Sequence, residues 1–452
     1  MNVGIESYLS QQGMEYQIEE NTAPTTIGSE AVFVRAILFR DELGLLMAIL
    51  PADHFLNYDK LCQILGRDLT PLTKEELANL YGEYRFDFIP PIPEILGAVA
   101  VVAEGLDAKR EIYFLPGSAD KIMRVNVNGK NSLWNKANYA SFSEPISNLD
   151  SPKRQEAKHG SFNQFVAARM KKRIEETYEI PSMPHIARDL MALRVNTKAT
   201  AEDLARVVEN DPSLVTQIIS WARSPYYGYT GKIESVEDAI IRVLGYELVM
   251  NLALGLSLGQ CLHVPLEGSL GLRAYWLESM YAAVTMHSLA LRMKVPQRPL
   301  LGLVHLGGML HNFGRLILAH LFIPQFKKLE LATLANPHVP ISIIEQQVIG
   351  IQHEELAEWA LDHWHLPEEV IVCATHHHED QYQGPHENYV KLINLALRMM
   401  KQHGFGDGDQ VQISEELVNE LGLTFEDIAQ VEKQIFSHKD EMVRLSKQML
   451  GE

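Results

Sequence analysis

The sequence predicts an α+β domain followed by an all-α domain, and three observations carry that prediction. Short apolar runs rich in branched residues are confined to roughly the first 145 positions. From about residue 174 onward, apolar side chains recur at helical spacing almost without interruption. Between them the chain turns polar and charged, beginning Asn148-Leu149-Asp150-Ser151-Pro152-Lys153-Arg154. At 452 residues the chain exceeds a typical single domain. The expected division is an N-terminal domain over 1–146, a linker over 147–173, a helical domain over 174–404 and a C-terminal helical extension over 405–452.

Within the first domain, strands are expected over 32–39, 44–50, 98–102 and 111–115, with helices over 58–65 and 74–80. Thr73 followed by Glu76 forms a capping box for the second helix, and the cluster Pro90-Pro91-Ile92-Pro93 reads as a rigid loop. In the second domain Thr200 is the expected cap of 201–209. Asp211-Pro212 starts another helix, with the proline in the first turn, where its missing N–H costs nothing. Leu214, Val215, Ile218, Ile219 and Ala222 are its expected buried stripe. Ser224-Pro225-Tyr226-Tyr227-Gly228 is a turn; Ser235 caps 236–244, and Gly245 ends it. Helices follow at about 246–262, 272–293, 299–320, 341–351, 353–364, 367–377 and 388–403. A glycine-rich break at 404–409 precedes a terminal helix pair started by Ser414 and Thr424.

Composition narrows the function. Hydrophobic content of 46% and charged content of 22% are those of an ordinary globular protein. A net charge of −18 repels a phosphate backbone, so nucleic acid is not an expected partner. Basic residues cluster only at Lys153-Arg154, Lys158 and Lys171-Lys172-Arg173, which reads as a solvated linker or helix face. The Asp211-Pro212 helix pair presents too little basic surface for a helix-turn-helix reader of DNA. Cys62, Cys261 and Cys373 lie far apart, which argues against a disulfide framework or zinc finger and fits a reducing cytoplasm. No basic leader with an apolar core is visible at the N-terminus, so no secretory signal is expected. The most apolar stretch, 300–323, is interrupted by His305, His311, Asn312, Arg315 and His320; a buried helix is expected there and no membrane insertion.

Several motifs occur in order: Ile180-Pro181-Ser182-Met183-Pro184, Glu209-Asn210-Asp211-Pro212-Ser213-Leu214, Ala222-Arg223-Ser224-Pro225-Tyr226-Tyr227-Gly228, 233–240 and Leu244-Gly245. Together they resemble the HDOD family, the HD-related output domains of bacterial signalling proteins. The resemblance implies an all-α domain related to the HD phosphohydrolases, whose active members gather histidines and aspartates around one or two metals. On that comparison Glu278 stands where the first histidine is expected, and His311 matches the second. Asn312 replaces its aspartate, and Asn394 falls where the last aspartate belongs. An amide oxygen is a neutral, weaker donor and cannot bridge two cations as a carboxylate can. No catalytic residue is therefore expected and no cofactor. The alternative is a residual divalent metal held by His311, His353 and His376 or His377, residues matching positions where some HD hydrolases keep histidines.

In the first domain the segments 33–41, 47–53, 61–66, 74–77 and 111–118, taken in order, resemble the YbaK/ProX family, whose active members hydrolyse mischarged aminoacyl-tRNA. Editing members carry a Lys-Thr pair on the second strand; the equivalent positions here are Arg35-Ala36, and a planar guanidinium has a different reach from an ammonium. The substrate loop is also altered, reading Gly82-Glu83-Tyr84-Arg85-Phe86-Asp87-Phe88-Ile89-Pro90-Pro91, with bulk where an aminoacyl group needs space. Arg35 and Arg85 are left as candidate residues for a small anionic ligand.

Together these readings predict a noncatalytic, cytoplasmic bacterial regulatory protein. A degenerate HD-type output domain acts through protein partners, coupled to a degenerate deacylase-like sensing or binding domain. The alternatives are a metal-dependent HD-type phosphohydrolase or phosphodiesterase, and an aminoacyl-tRNA editing deacylase.

Overall fold

A computed structural model describes the chain apart from residues 1–2, 22–29, 85–87, 118–120, 128–132, 136, 150–167, 171, 173–180 and 451–452. The predicted linker 147–173 thus lies largely outside the described residues. The chain divides into two compact units that do not follow chain order. One comprises 1–161 with 328–347, the other 162–327 with 348–452.

The first unit is a mixed sheet flanked by short helices. Its strands are β1 (Glu15–Glu20), β2 (Ala31–Asp41), β3 (Gly44–Pro51), β4 (His54–Leu56), β5 (Thr70–Pro71), β6 (Val99–Ala103), β7 (Glu111–Phe114), β8 (Lys121–Asn126), β9 (Asn138–Ala140) and β10 (Ser143–Pro145). The main sheet runs β1-β8-β7-β2-β3-β6-β9, with β5 also on β2, while β4 pairs with β10. β2 and β3 form an antiparallel hairpin in which Arg35 opposes Leu50 and Ile37 opposes Ala48. β6 and β7 join parallel to β3 and β2 respectively. Val34, Leu38, Met47, Ile49, Val102, Ile112 and Val125 fill the core, as branched side chains on a pleated surface do. The predicted capping box holds: Thr73 N donates to Glu76 Oε2 at 2.9 Å, and Glu76 N donates to Thr73 Oγ1 at 3.2 Å. The proline cluster is not loop throughout. Pro93 sits in the first position of a one-turn helix, Pro93–Leu96, which Gly97 ends in the left-handed region at φ 62°.

Residues 328–347, assigned by sequence to the helical domain, group instead with this sheet unit. The reason is local. Pairing with β10 uses one edge of β4 and leaves His54 and Leu56 facing the other way. The Asn336 side chain completes that edge as a peptide group would: its Oδ1 accepts from Leu56 N at 2.7 Å, and its Nδ2 donates to Leu56 O at 2.9 Å. His338 Nε2 donates to His54 O at 2.8 Å. Ala335 and Asn336 are fully buried, so an exposed strand edge is removed.

The second unit is helical. Thr200 caps Ala201–Val208 with a capping box closed by Asp203, Asp211 caps Pro212–Ala222 and Ser235 caps Val236–Ala239. Leu214, Ile218 and Ala222 of the predicted stripe are buried; Val215 and Ile219 are half-buried. The helix expected over 236–244 changes its pitch at Ile240–Leu244, a single wide turn before Gly245. The helix expected over 299–320 is two helices, Leu301–Leu310 and Phe313–Leu321, because Asn312 leaves helical geometry at φ −94°, ψ 15°. A helix the sequence reading omitted, Ile323–Ala335, follows. After Glu387–Gln402 three helices follow among the described residues where two were expected, Glu415–Glu420, Phe425–Phe436 and Lys439–Gln448. Ser414 and Thr424 cap the first two as expected. No helix among the described residues is long and apolar enough to cross a membrane.

Two glycines set the distances at the centre of this unit. A Cβ at Gly308 would stand 2.5 Å from Ala283 Cα, so Leu301–Leu310 lies directly against Leu272–Arg292. A Cβ at Gly314 would stand 1.8 Å from the His353 carbonyl oxygen, so Phe313–Leu321 presses on the start of His353–His363. These approaches draw His311, Asn312 and His353 into one buried region.

Candidate functional site

The site lies in the helical unit and has two parts. The first surrounds the His311-Asn312 pair. Arg315, one turn beyond, directs its guanidinium to Glu278, with Nη1 3.3 Å from Oε2, and to Asp407, with Nη2 3.7 Å from Oδ1. Asn312 Nδ2 lies 3.5 Å from the same Glu278 oxygen, a long and weak bond. Arg315 is buried; its charge is set between two carboxylates from elsewhere in the fold. Thus Glu278, Asn312 and Arg315 form a polar cluster, centred on the Arg315–Glu278 ion pair, at the place where the HD resemblance puts a metal. Asn394 is also occupied. Its Nδ2 donates to the carbonyls of His377, at 3.2 Å, and Glu379, at 3.4 Å, while its Oδ1 accepts from Arg398 Nε at 3.2 Å. A carboxylate at 394 has no proton to offer those two carbonyls.

The second part is a group of imidazoles. His353, Glu354, His377 and His378 each bring a potential ligand atom within 4.8 Å of the others. His311 stands beside them, its ring centroid 5.3 Å from that of His377 and nearly perpendicular to it. Hydrogen bonds define the tautomers. His311 Nδ1 faces the Gly308 carbonyl at 2.8 Å, and His377 Nδ1 faces the Ala374 carbonyl at 2.8 Å. Carbonyls only accept, so both Nδ1 atoms carry the proton and both Nε2 atoms present a lone pair. His353 Nδ1 lies 3.2 Å from Glu354 Oε2, a close ionic contact rather than an aligned hydrogen bond, and its Nε2 lies 3.2 Å from His377 Nε2. Glu354 Oε1 also contacts His378 Nδ1 at 2.5 Å.

Burial holds His311 neutral, lowering its pKa to about 3; the Gly308 bond opposes this, and the Arg315, His353 and His378 charges reinforce it. His377 is pushed well below the usual imidazole range, first by burial and then by His378, His353 and His311. For Glu354 burial acts upward, but the His353 and His378 imidazoles outweigh it and hold its pKa at about 2. The result is His311 and His377 held as neutral imidazoles beside an ionised Glu354 carboxylate.

Of the residues expected from sequence, the structure brings together His311, His353 and His377. His376 points elsewhere: its Nδ1 lies 2.7 Å from Glu379 Oε1, and its ring stacks on Tyr382. Sequence reasoning missed Arg315, Glu354 and His378. Arg315 was within reach, since it lies three residues past Asn312 on the helix that begins there. In the sheet unit, Arg35 is half-buried on β2, close enough to His338 for its charge to act on that ring. Arg85 lies outside the described residues.

For a divalent metal, the two parts give opposite answers. Around Asn312 the donors do not fit: the carboxylate pair is replaced by amides, and a guanidinium is already bound. Around His353 the donor types do fit, since possible ligand atoms of His353, Glu354, His377 and His378 lie within 4.8 Å of one another; His311 Nε2, buried with no hydrogen-bond partner, lies outside that group.

Comparison with known proteins accords with this architecture. The HDOD domain family matches residues 180–380, and the aminoacyl-tRNA editing domain family matches 17–131. A solved structure of a proposed signal transduction protein from Marinobacter aquaeolei VT8 is 30% identical, covers 100% of both chains and superimposes with a TM-score of 0.85. An HDOD domain protein of unknown function from Geobacter sulfurreducens is 18% identical, covering 64% of this chain and 96% of its own, with a TM-score of 0.49. An uncharacterized protein from Treponema pallidum (strain Nichols) is 22% identical over 240 residues; the match covers 52% of this chain and 45% of that protein's length. The chain carries an HDOD domain. It is a two-domain protein in which that HDOD domain follows an aminoacyl-tRNA editing domain.

Proposed function

We propose that this protein is a noncatalytic regulatory component of bacterial signal transduction, in which the HDOD domain acts through protein partners. One observation carries the reading: the buried Arg315 guanidinium is bound by Glu278 beside Asn312. A phosphohydrolase needs that space for a cation that can acidify water or clamp a phosphate, and a guanidinium has no open coordination position for either. The editing-like domain is read as a binding module for a small anionic ligand. Arg35 replaces the lysine of active members there, and His338, from the 328–347 segment, stands close by. A cytoplasmic setting is part of the proposal, resting on three free cysteines, among them the fully buried Cys373.

The test is turnover. Purified full-length protein is incubated with linear and cyclic phosphodiesters and phosphomonoesters, with manganese or iron(II) supplied, and separately with a panel of mischarged tRNAs. Release of product no faster than in buffer is the expected outcome. Hydrolysis of a phosphate ester that disappears on His353→Ala rejects the proposal in favour of a phosphohydrolase. Deacylation that disappears on Arg35→Ala rejects it in favour of an editing enzyme.

A further inference from the structure

We infer that the segment 291–300 of the helical unit is a preorganised docking surface for an acidic amphipathic helix of a protein partner. The inference rests on the regulatory reading above and gives that partner a chemistry.

Three large aliphatic side chains stand in solvent within this short segment: Leu291, Val295 and Leu300, at 46%, 77% and 67% exposure. Single exposed aliphatics are ordinary, but several gathered on one excursion mark a contact site. The excursion is held in place. Leu291 lies in the last turn of Leu272–Arg292, Val295–Gln297 is a 3₁₀ turn, and Leu300 stands just before Leu301–Leu310. Met293 is buried and anchors the middle. Arg298 ties the two ends together: its Nη2 donates to Leu291 O at 2.7 Å and to Met293 O at 2.8 Å, and its Nε donates to Met293 O at 3.2 Å. Asn388 Nδ2 donates to Gln297 O at 3.0 Å, and Leu300 N donates to the Tyr389 hydroxyl at 3.1 Å. Pro296 and Pro299 restrict the backbone further. A surface fixed in this way loses little conformational freedom when a partner binds.

Charge selects the partner. Arg292, Lys294 and Arg298 interleave with the aliphatics, and the segment holds no acidic residue. Arg292 donates to the Ser288 carbonyl and Arg298 to those of Leu291 and Met293. A carbonyl has no net charge, so these bonds fix the guanidinium groups without neutralising them. An acidic partner is attracted to such a surface and a basic one repelled, while leucines at helical spacing supply the apolar contacts. An anionic bilayer is disfavoured, because it faces far more of a chain whose net charge is −18 than one helix does. A basic patch that recruits acidic lipid also runs to about four to eight Lys and Arg. A second copy of this chain brings the same negative charge and is repelled likewise.

The probes are two fluorescein-labelled helical peptides with the same leucine seam at i, i+3, i+4 and i+7. Glutamate fills the remaining positions of one, and lysine those of the other. Anisotropy with the full-length protein at low salt should show saturable binding of the glutamate peptide, at least about tenfold tighter than the lysine peptide and weakening as salt rises. Val295→Ser combined with Leu300→Ser should weaken it at least about tenfold; both side chains are exposed, so the core is untouched. Lys294→Glu should weaken it and flatten its salt dependence. Leu43→Ser, at a comparably exposed aliphatic of the sheet unit, should leave it unchanged. Binding of neither peptide, equal affinity for both, or undiminished binding by the double variant overturns the inference. So does flotation with phosphatidylserine vesicles, or self-association in sedimentation, that the double variant abolishes. A failure here leaves the noncatalytic reading standing, whereas turnover in the assay above ends that reading whatever the peptides do.

Discussion

Gly314 is where sequence, packing and site meet most tightly, and replacing it with alanine gives a sharp expectation. The added Cβ would sit 1.8 Å from the His353 carbonyl oxygen, 2.7 Å from its carbonyl carbon and 2.9 Å from Ala357 N. All three are backbone atoms of the helix His353–His363, so no side chain can rotate away. Restoring ordinary contact requires the two helices to part by well over an ångström. Overpacking of a core costs about 1–3 kcal/mol, occasionally more, and a clash with backbone belongs at the upper end. Against it stands the alanine preference over glycine in a helix, roughly 0.8–1.0 kcal/mol. The net expectation is destabilisation of about 2 kcal/mol or more, a fall in Tm of roughly 4–8 °C at about 2–4 °C per kcal/mol for a unit near this size. Urea denaturation followed by circular dichroism measures it. Gly82→Ala is the matched control: that glycine is exposed within the helix Lys74–Tyr84, with nothing within 4 Å of its would-be Cβ, so the same change there should stabilise by up to about 1 kcal/mol. If Gly314→Ala is as stable as the parent, the close packing that delivers His353 to His311 is not what the geometry says.

Three further outcomes follow from the same reasoning. Asn336→Leu leaves Leu56 N and O without their buried partners, at about 1–3 kcal/mol for each unsatisfied group, and hydrogen exchange at the Leu56 amide should accelerate; an unchanged exchange rate would refute the edge-completing role. His338 has its pKa lowered to about 3, first by burial and then by Arg35, with the His54 carbonyl opposing. A depressed imidazole pKa means the unfolded chain binds the extra proton, so this stabilisation is complete above about pH 6.5 and is lost as pH falls toward 3, at up to about 1.4 kcal/mol per pH unit; denaturation at pH 7, 5 and 4 should show a slope that His338→Gln reduces. Asn394→Asp replaces a double donor with an acceptor facing two carbonyls, and should lower stability by about 1–3 kcal/mol without creating phosphatase activity.

What could be read from the sequence was what local physics decides. Thr73, Thr200, Asp211, Ser235, Ser414 and Thr424 cap helices because each oxygen reaches a backbone N–H two or three residues ahead, an interaction contained in a few positions. β1 and β8 escaped notice because β1 is mostly exposed and rich in glutamate, and its partner comes about a hundred residues later. The grouping of 328–347 with the sheet was illegible for the same reason, since Asn336 meets Leu56 across 280 positions. At the site, the positions of the missing carboxylates were legible because a motif fixes their order. Their replacement partners were not, because Asp407 reaches Arg315 and Glu354 reaches His378 only once the helices have packed.

The substitutions at this site therefore read as reassignment rather than decay. A site that merely lost its aspartates would leave donors and lone pairs stranded in a buried space, where each costs about as much as a lost hydrogen bond. Instead Asn394 ties down the carbonyls where the helix bearing His377 ends, and Arg315 supplies the charge that Glu278 and Asp407 require. Each new residue is held by partners that differ from those a hydrolase needs. Returning one carboxylate then removes a satisfied interaction without rebuilding a metal position, because the guanidinium stays in place. On the proposed noncatalytic reading, hydrolysis would demand simultaneous change at 278, 312, 315 and 394. That interdependence is what the proposed noncatalytic role requires, and the buried polar atoms that still lack a hydrogen-bond partner there, His311 Nε2, Asn312 Oδ1, Arg315 Nε and Glu354 Oε2, show that the reassignment is incomplete.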